Sequence, residues 1–133
     1  MTRTGNNTAP KAIMILDDES DIVYIFKKAL ELAGYGVSAF TDPELALEHL
    51  QANPDSYGLI ISDIRMPKMD GREFVGKVRL FAPSISIILM SAFSMADLNI
   101  SVESKIAELI QKPITPIRLK EVVSKYVEPN PVV

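Results

Sequence analysis

Leu59-Ile60-Ile61-Ser62-Asp63-Ile64-Arg65-Met66-Pro67-Lys68-Met69-Asp70-Gly71 decides the fold of this chain. The run Leu59 to Ile61 is apolar at every position rather than at alternate ones. That pattern fits a central parallel strand buried on both faces. The run ends on a carboxylate, Asp63. A Met-Pro turn follows, and Asp70-Gly71 then opens a helical pattern, with Asp70 as cap, Glu73 three positions on, and Phe74, Val78 and Phe81 along one stripe. Asp63 itself has two readings. It closes a turn, as Asp often does after strands, or it is a nucleophile or metal ligand set on the lip of a buried strand.

Working outward, the same unit of strand then helix recurs. Ala12 to Leu16 is a continuous apolar run that stops at Asp17-Asp18-Glu19. Ser20 is positioned to cap the next helix, whose apolar face is Ile22, Phe26, Ala29 and Ala33, and Gly34 ends it as a left-handed cap. Gly36 to Phe40 is a weaker strand, placed nearer an edge. Thr41 and Glu44 stand at capping-box spacing around Asp42-Pro43. Ala46, Leu47 and Leu50 supply the buried face of that helix, and His49 falls on its solvent side. Asn53-Pro54-Asp55 breaks it. Beyond the quoted stretch, Ile85 to Met90 is a fourth strand ending at Ser91-Ala92. Ser94 to Asp97 reads as a helix start, and the segment to Lys105 is only weakly periodic. Ile106 to Ile110 is a fifth strand ending at Lys112-Pro113. Thr115-Pro116 caps a last helix with Leu119, Val122, Val123 and Tyr126 inward. Alternation of this kind predicts an α/β fold with a doubly wound five-stranded parallel sheet and helices on both faces.

Four of the five apolar runs end in polar residues: Asp17 and Asp18, Asp63, Ser91, and Lys112. In a parallel sheet these ends share one edge, where ligands bind. Crowded carboxylates repel one another, and a divalent cation relieves that repulsion. Oxygen ligands without His or Cys favour magnesium or another hard cation. A fixed ammonium on Lys112 and a hydroxyl on Ser91 are suited to hold a phosphoryl group carried by an Asp carboxylate. Each residue has a plainer alternative: helix-entry caps for Asp17 and Asp18, an ion-pair partner of Asp63 for Lys112, a strand-end serine for Ser91.

The whole chain narrows the choice. At 133 residues with 47% hydrophobic and 23% charged residues it is of single-domain size with ordinary globular composition. The net charge of −3 and the pI near 5.1 argue against nucleic acid or an anionic membrane surface as direct partners. With no Cys and one His, disulfides, thiol catalysis, thiolate metal sites and a His-containing triad drop out. No apolar run approaches the ~18 residues of a membrane span, and the start lacks a signal-peptide core. The expected compartment is the cytoplasm. Residues 1–10 read as a disordered arm, 11–127 as the folded domain and 128–133 as a tail.

On these residues the chain resembles the receiver domain of a two-component response regulator, of the single-domain chemotaxis-receiver type. The resemblance rests on Asp17-Asp18, on Asp63 through Gly71, on Ser91-Ala92 and on Lys112-Pro113, and it spans about residues 11 to 127. It implies a flavodoxin-like sheet of order 2-1-3-4-5. It implies that Asp63 is the phosphoacceptor, taking a phosphoryl group from a sensor histidine kinase or phosphotransfer protein. Mg2+ would be ligated by Asp18, Asp63 and the backbone carbonyl of Arg65, with Asp17 acting mainly through water. Lys112 would pair with Asp63 and then with the phosphoryl oxygens, Ser91 would bond the phosphoryl group, and Lys112-Pro113 would be a cis peptide. Such a module is a signalling protein rather than an enzyme. With few residues after the last helix, its output is expected by docking to a downstream protein, by relay, or as a homodimer, on a surface that includes Arg118, Lys120 and Lys125.

Two positions depart from the family pattern. Leu109 stands three residues before Lys112, where an aromatic switch residue is common. The segment Asn99-Ile100-Ser101-Val102-Glu103-Ser104 is also atypical, and the stretch from Ala92 to Lys105 is expected to carry the switch instead. Rival readings are a receiver-like docking or dimerisation module that works without phosphorylation, and a magnesium-dependent phosphatase with an Asp nucleophile. The latter usually needs a second Asp where Arg65 stands. A nucleotide or flavin binder lacks its Gly-rich loop after the first strand.

Overall fold

The computed structural model describes residues 11–92 and 106–129. Along them run β1 (Ala12–Leu16), α1 (Ser20–Leu32), β2 (Val37–Phe40), α2 (Pro43–Ala52), β3 (Tyr57–Asp63), α3 (Gly71–Arg79), β4 (Ser86–Ser91), β5 (Glu108–Gln111) and a last described helix, α4 (Pro116–Val123). The strands form one parallel sheet in the order β2-β1-β3-β4-β5. This is the expected order, with the weak second strand at an edge.

Both faces of the sheet are covered, which is why its central strands carry no polar alternation. Ile13, Ile15, Leu59, Ile61, Ile88 and Met90 face α1 and α4, where they meet Phe26, Leu30, Leu119 and Val123. Their neighbours Met14, Leu16, Ile60, Ile87 and Leu89 face α2 and α3, where they meet Leu50, Phe74 and Val78. Strand pairing levels the carboxyl ends. Leu16 is opposite Ser62, Asp63 is opposite Met90, and Ser91 is opposite Gln111. The polar residue that ends each run therefore lies within one position of its neighbour's.

Local chemistry sets the helix limits. Gly34 ends α1 with φ 100°. Asp70 caps α3 by accepting from the backbone N–H groups of Arg72 and Glu73 at 2.9 and 3.0 Å. Thr115 caps α4 by accepting from Arg118 N at 3.1 Å, with Pro116 at the first helical position.

Several expectations shift. The buried face of α1 is Val23, Phe26 and Leu30, while Ile22, Ala29 and Ala33 are half-buried; the helix is rotated by about one position. Ser20 is its first residue, not its cap; the cap position is Glu19, which makes no side-chain cap bond. Asp42, not Thr41, caps α2, because its carboxylate reaches Glu44 N at 2.9 Å. His49 is not simply on the solvent side. Its Nε2 lies 2.6 Å from the Tyr57 hydroxyl, which donates to Ser38 Oγ at 2.7 Å, and its ring packs against Phe40. β2 begins at Val37, β3 reaches back to Tyr57, and β4 and β5 sit one or two residues later than their apolar runs. The expected helix start at 94–97 and the atypical segment after it lie outside the described residues.

Candidate phosphoacceptor and metal site

Four strands deliver the site. β1 runs directly into Asp17 and Asp18, β3 ends on Asp63, β4 ends on Ser91, and Lys112 follows β5. Lys112 Nζ lies 3.0 Å from Asp17 Oδ2 and 3.1 Å from Asp63 Oδ2, so two carboxylates separated by 46 positions share one ammonium (63 − 17). Asp17 is fully buried and Asp63 is 6% exposed. The remaining Asp17 oxygen, Oδ1, accepts from Glu19 N at 3.0 Å, which fixes the carboxylate as the chain turns into α1.

The electrostatics follow from that burial. Desolvation, then the neighbouring Asp17 charge, push the Asp63 carboxyl above its ordinary range, although Lys112 and the Arg65 N–H partly oppose them. Desolvation lowers the Lys112 ammonium, but its bonds and charge contacts with Asp17 and Asp63 outweigh that and hold it above its ordinary range. Lys112 is therefore a permanent cation between two acids, and Asp63 is a carboxylate whose charge is incompletely compensated.

Asp17, Asp18 and Asp63 each present a carboxylate oxygen, and these oxygens lie within 4.8 Å of one another. Asp18 is exposed while its two neighbours are buried. This all-oxygen donor set, open on one side, fits a hard divalent cation that keeps part of its water shell. An open cleft of about 300 Å³ lies over it, lined by Asp18, Glu19, Asp63, Arg65, Ala92 and Lys112. The structure thus brings Asp17, Asp18, Asp63 and Lys112 together and puts Arg65 on the cleft wall. Ser91 is fully buried at the end of β4, and its backbone carbonyl accepts from Lys112 N at 2.6 Å. The β4-side lining of the cleft is its neighbour Ala92. The Lys112-Pro113 peptide is cis, as expected.

Two contributors went unnoticed in the sequence. Glu19 lines the cleft with Oε1 4.0 Å from Lys112 Nζ; the acidic run after β1 was its only signal. Gly71 reads as a helix opener, but its deeper role is space. A Cβ there would stand 2.7 Å from the Asp63 carbonyl oxygen and 2.8 Å from Ile64 Cα. The first turn of α3 can therefore pack directly against the backbone of Asp63 and Ile64, and Gly71 N donates to Ile64 O at 2.7 Å.

The response regulator receiver domain model matches residues 13–124. The chain belongs to that family, the receiver domains of two-component response regulators. It is 34% identical over 104 residues to the response regulator receiver protein CpdR of Brucella abortus (strain 2308), covering 77% of this chain and 85% of that protein. It is 33% identical over 113 residues to the C4-dicarboxylate transport transcriptional regulatory protein DctD of Rhizobium meliloti (strain 1021), covering 84% of this chain. The matched part is only 24% of DctD, so the chain spans about a quarter of that relative's length. Among solved structures, the response regulator TrrA of Thermotoga maritima, in complex with Mg2+-BeF, superposes with a TM-score of 0.75 at 32% identity, covering 86% of this chain and 97% of TrrA's. Among the described residues no helix is long and apolar enough to cross a membrane.

Proposed function

We propose that the chain, folded as one receiver unit over residues 11–127, accepts a phosphoryl group on Asp63 from a phosphohistidine of a sensor histidine kinase or phosphotransfer protein. The observation that carries this reading is the pairing of a buried, incompletely compensated Asp63 carboxylate with Lys112 at 3.1 Å, on the floor of an open acidic cleft. Asp18, Asp63 and the Arg65 carbonyl would hold Mg2+, with Asp17 acting through water; the oxygen cluster and the Mg2+-BeF complex of the relative TrrA support that assignment. The cation, when bound, offsets the negative charge that gathers around the transferred phosphoryl group.

The protein's own residues do the rest. A carboxylate oxygen of Asp63 attacks phosphorus as the P–N bond to the donor imidazole breaks. Lys112 already bonds that carboxylate and follows the charge to the phosphoryl oxygens, so little reorganisation is needed. Asp17 holds the other side of the Lys112 ammonium and keeps it in place. Ser91, at the end of β4, would donate its hydroxyl to the phosphoryl group and draw the following loop inward. The output is docking to a downstream protein or onward relay, in the cytoplasm, with homodimerisation as one form of docking. The chain catalyses its own phosphoryl transfer and hydrolysis and acts on no separate substrate.

The test is incubation with Mg2+ and a small phosphodonor, followed by intact mass measurement. The expected result is one phosphoryl adduct on the parent and none on Asp63→Asn. An adduct that survives that substitution, or none on the parent, defeats the reading.

A further inference from the structure

The loop between β3 and α3 is pinned at both ends. Ile64 N donates to Met90 O at 2.9 Å, Gly71 N donates to Ile64 O at 2.7 Å, and the Ile64 and Met69 side chains are buried. Between these anchors the chain turns sharply. Met69 N donates to Pro67 O at 2.8 Å across Lys68, whose φ is 72°. A left-handed residue at the centre of so tight a turn is better served by Gly or Asn. What lysine adds there is reach. Its Nζ lies 2.8 Å from Asp42 Oδ2 and 3.5 Å from Glu44 Oε1, in the first turn of α2. Asp42 is itself held, because its Oδ1 accepts from Glu44 N as the helix cap. The pairing with Lys68 also holds the Asp42 carboxyl below its ordinary range.

We propose that Lys68 is a positioning residue: it straps the centre of the acceptor loop to α2 and so keeps the Arg65 backbone beside the Asp17–Asp18–Asp63 cluster for divalent-cation binding. The inference rests on the reading of that cluster as a magnesium site. Magnesium demands near-octahedral geometry, so a loop that wanders from the cluster weakens its binding even when every ligand is intact.

The experiment is a calorimetric Mg2+ titration at low ionic strength, without phosphodonor, on the full chain and on Lys68→Asn, Lys68→Arg, Asp42→Asn and the Lys68→Asn/Asp42→Asn pair. Asn suits a left-handed backbone at 68 and can still cap a helix at 42. The strap predicts that each single Asn variant weakens Mg2+ binding about two- to fivefold, the size expected of an exposed ion pair. The pair should be no weaker than either single, Lys68→Arg should match the parent, and ~1 M salt should erase the differences. Plain charge effects predict opposite signs: removing Lys68's positive charge would tighten Mg2+ binding, and removing Asp42's negative charge would loosen it. Opposite signs, or melting temperatures that move while Mg2+ affinity does not, overturn the strap. A parent chain that fails to bind Mg2+, or an Asp63→Asn variant that binds it equally well, instead overturns the magnesium reading, and the strap's role with it.

Discussion

The middle of β3 and its carboxyl end are buried alike and respond to burial in opposite ways. Leu59, Ile60 and Ile61 are fully buried and touch apolar neighbours on both faces of the sheet. Removal of such surface from water contributes roughly 25 cal/mol per Å². Two residues further on, Asp63 is only 6% exposed, and there burial works against the ionised carboxyl. The strand interior thus holds in place a group whose own surroundings disfavour its charge. The contrast implies that changes in the strand middles and their helix partners threaten the fold, whereas changes at the strand ends alter chemistry and can even relieve a penalty.

The largest effect should come from the interior. Phe74 is fully buried against the sheet among Ile60, Leu89 and Leu50. Phe74→Ala should cost about 3–5 kcal/mol in urea unfolding, a large part of a typical domain's 5–15 kcal/mol. A loss under about 1 kcal/mol would break the contrast at its apolar side. Next comes the boundary between the two regions. Gly71→Ala forces a Cβ against the backbone of Asp63 and Ile64, atoms that cannot swing aside. It should cost about 1–3 kcal/mol and loosen magnesium binding together with stability. Gly76 lies in the same helix with nothing within 4 Å of an added Cβ. Gly76→Ala should therefore stabilise by about 0.5–1 kcal/mol. The same substitution with opposite signs in one helix isolates contact with the end of β3 as the cause.

The pattern that made the strands legible in the sequence is this contrast itself. Ala12 to Leu16, Leu59 to Ile61 and Ile85 to Met90 are continuous because both sheet faces are covered, and each run stops where the backbone reaches the open edge. The closeness of Asp17, Asp18, Asp63 and Lys112 was legible because a parallel sheet sends every carboxyl end to one side, whereas Ser91, expected with them, is fully buried and Ala92 lines the cleft in its place. Side-chain ties between distant segments were not legible. Periodicity put His49 on the outside of α2, but a hydrogen bond to Tyr57, at the start of β3, and a ring contact with Phe40 of the edge strand β2 draw it against the sheet. Thr41 and Asp42 both suit a helix start, and only the backbone path selects Asp42. Lys68 meets Asp42 across 26 positions, which no local pattern encodes. The Leu109 question has half an answer: the residue is half-buried and packs with the α2–α3 side of the core, while the segment it would signal to lies outside the described residues.

An effect of the same size as that of Gly71→Ala is expected where the two acids share their cation. Lys112→Met removes the ammonium between Asp17 and Asp63 and leaves both carboxylates buried. The cost should be about 1–3 kcal/mol, the penalty for stranding buried polar groups. On the proposed function, magnesium would supply charge to the same oxygens. Saturating Mg2+ should therefore raise the melting temperature of Lys112→Met by more than it raises that of the parent. An equal rise in both would mean that the lysine and the metal do not share those oxygens.

The smallest effect is the most informative, because its sign runs against intuition. Asp63→Asn removes one acid from beside Lys112, which keeps Asp17 at 3.0 Å. The Asp63 carboxyl sits above its ordinary range in the folded chain, chiefly from burial and then from Asp17. Between the unfolded and folded values, the folded state therefore holds the extra proton. Its contribution to stability is full at low pH and is lost as pH rises through the folded value. Above the folded value the parent carries an ionised, under-compensated carboxylate, and Asn carries none. Asp63→Asn should then be the more stable protein, by about 1 kcal/mol or less at the lip of an open cleft. The gap should narrow as pH falls through the ordinary Asp value of about 3.9 and close well below it, where the carboxyl is neutral in both states. Magnesium should reverse the order at neutral pH, since ligand at ten times its Kd stabilises the parent by about 1.4 kcal/mol and gives the variant much less. Melting curves from about pH 3 to 8, with and without Mg2+, measure both effects. A parent more stable than Asp63→Asn at neutral pH without magnesium would show that Lys112 fully compensates Asp63, and the contrast between strand middle and strand end would lose its electrostatic half.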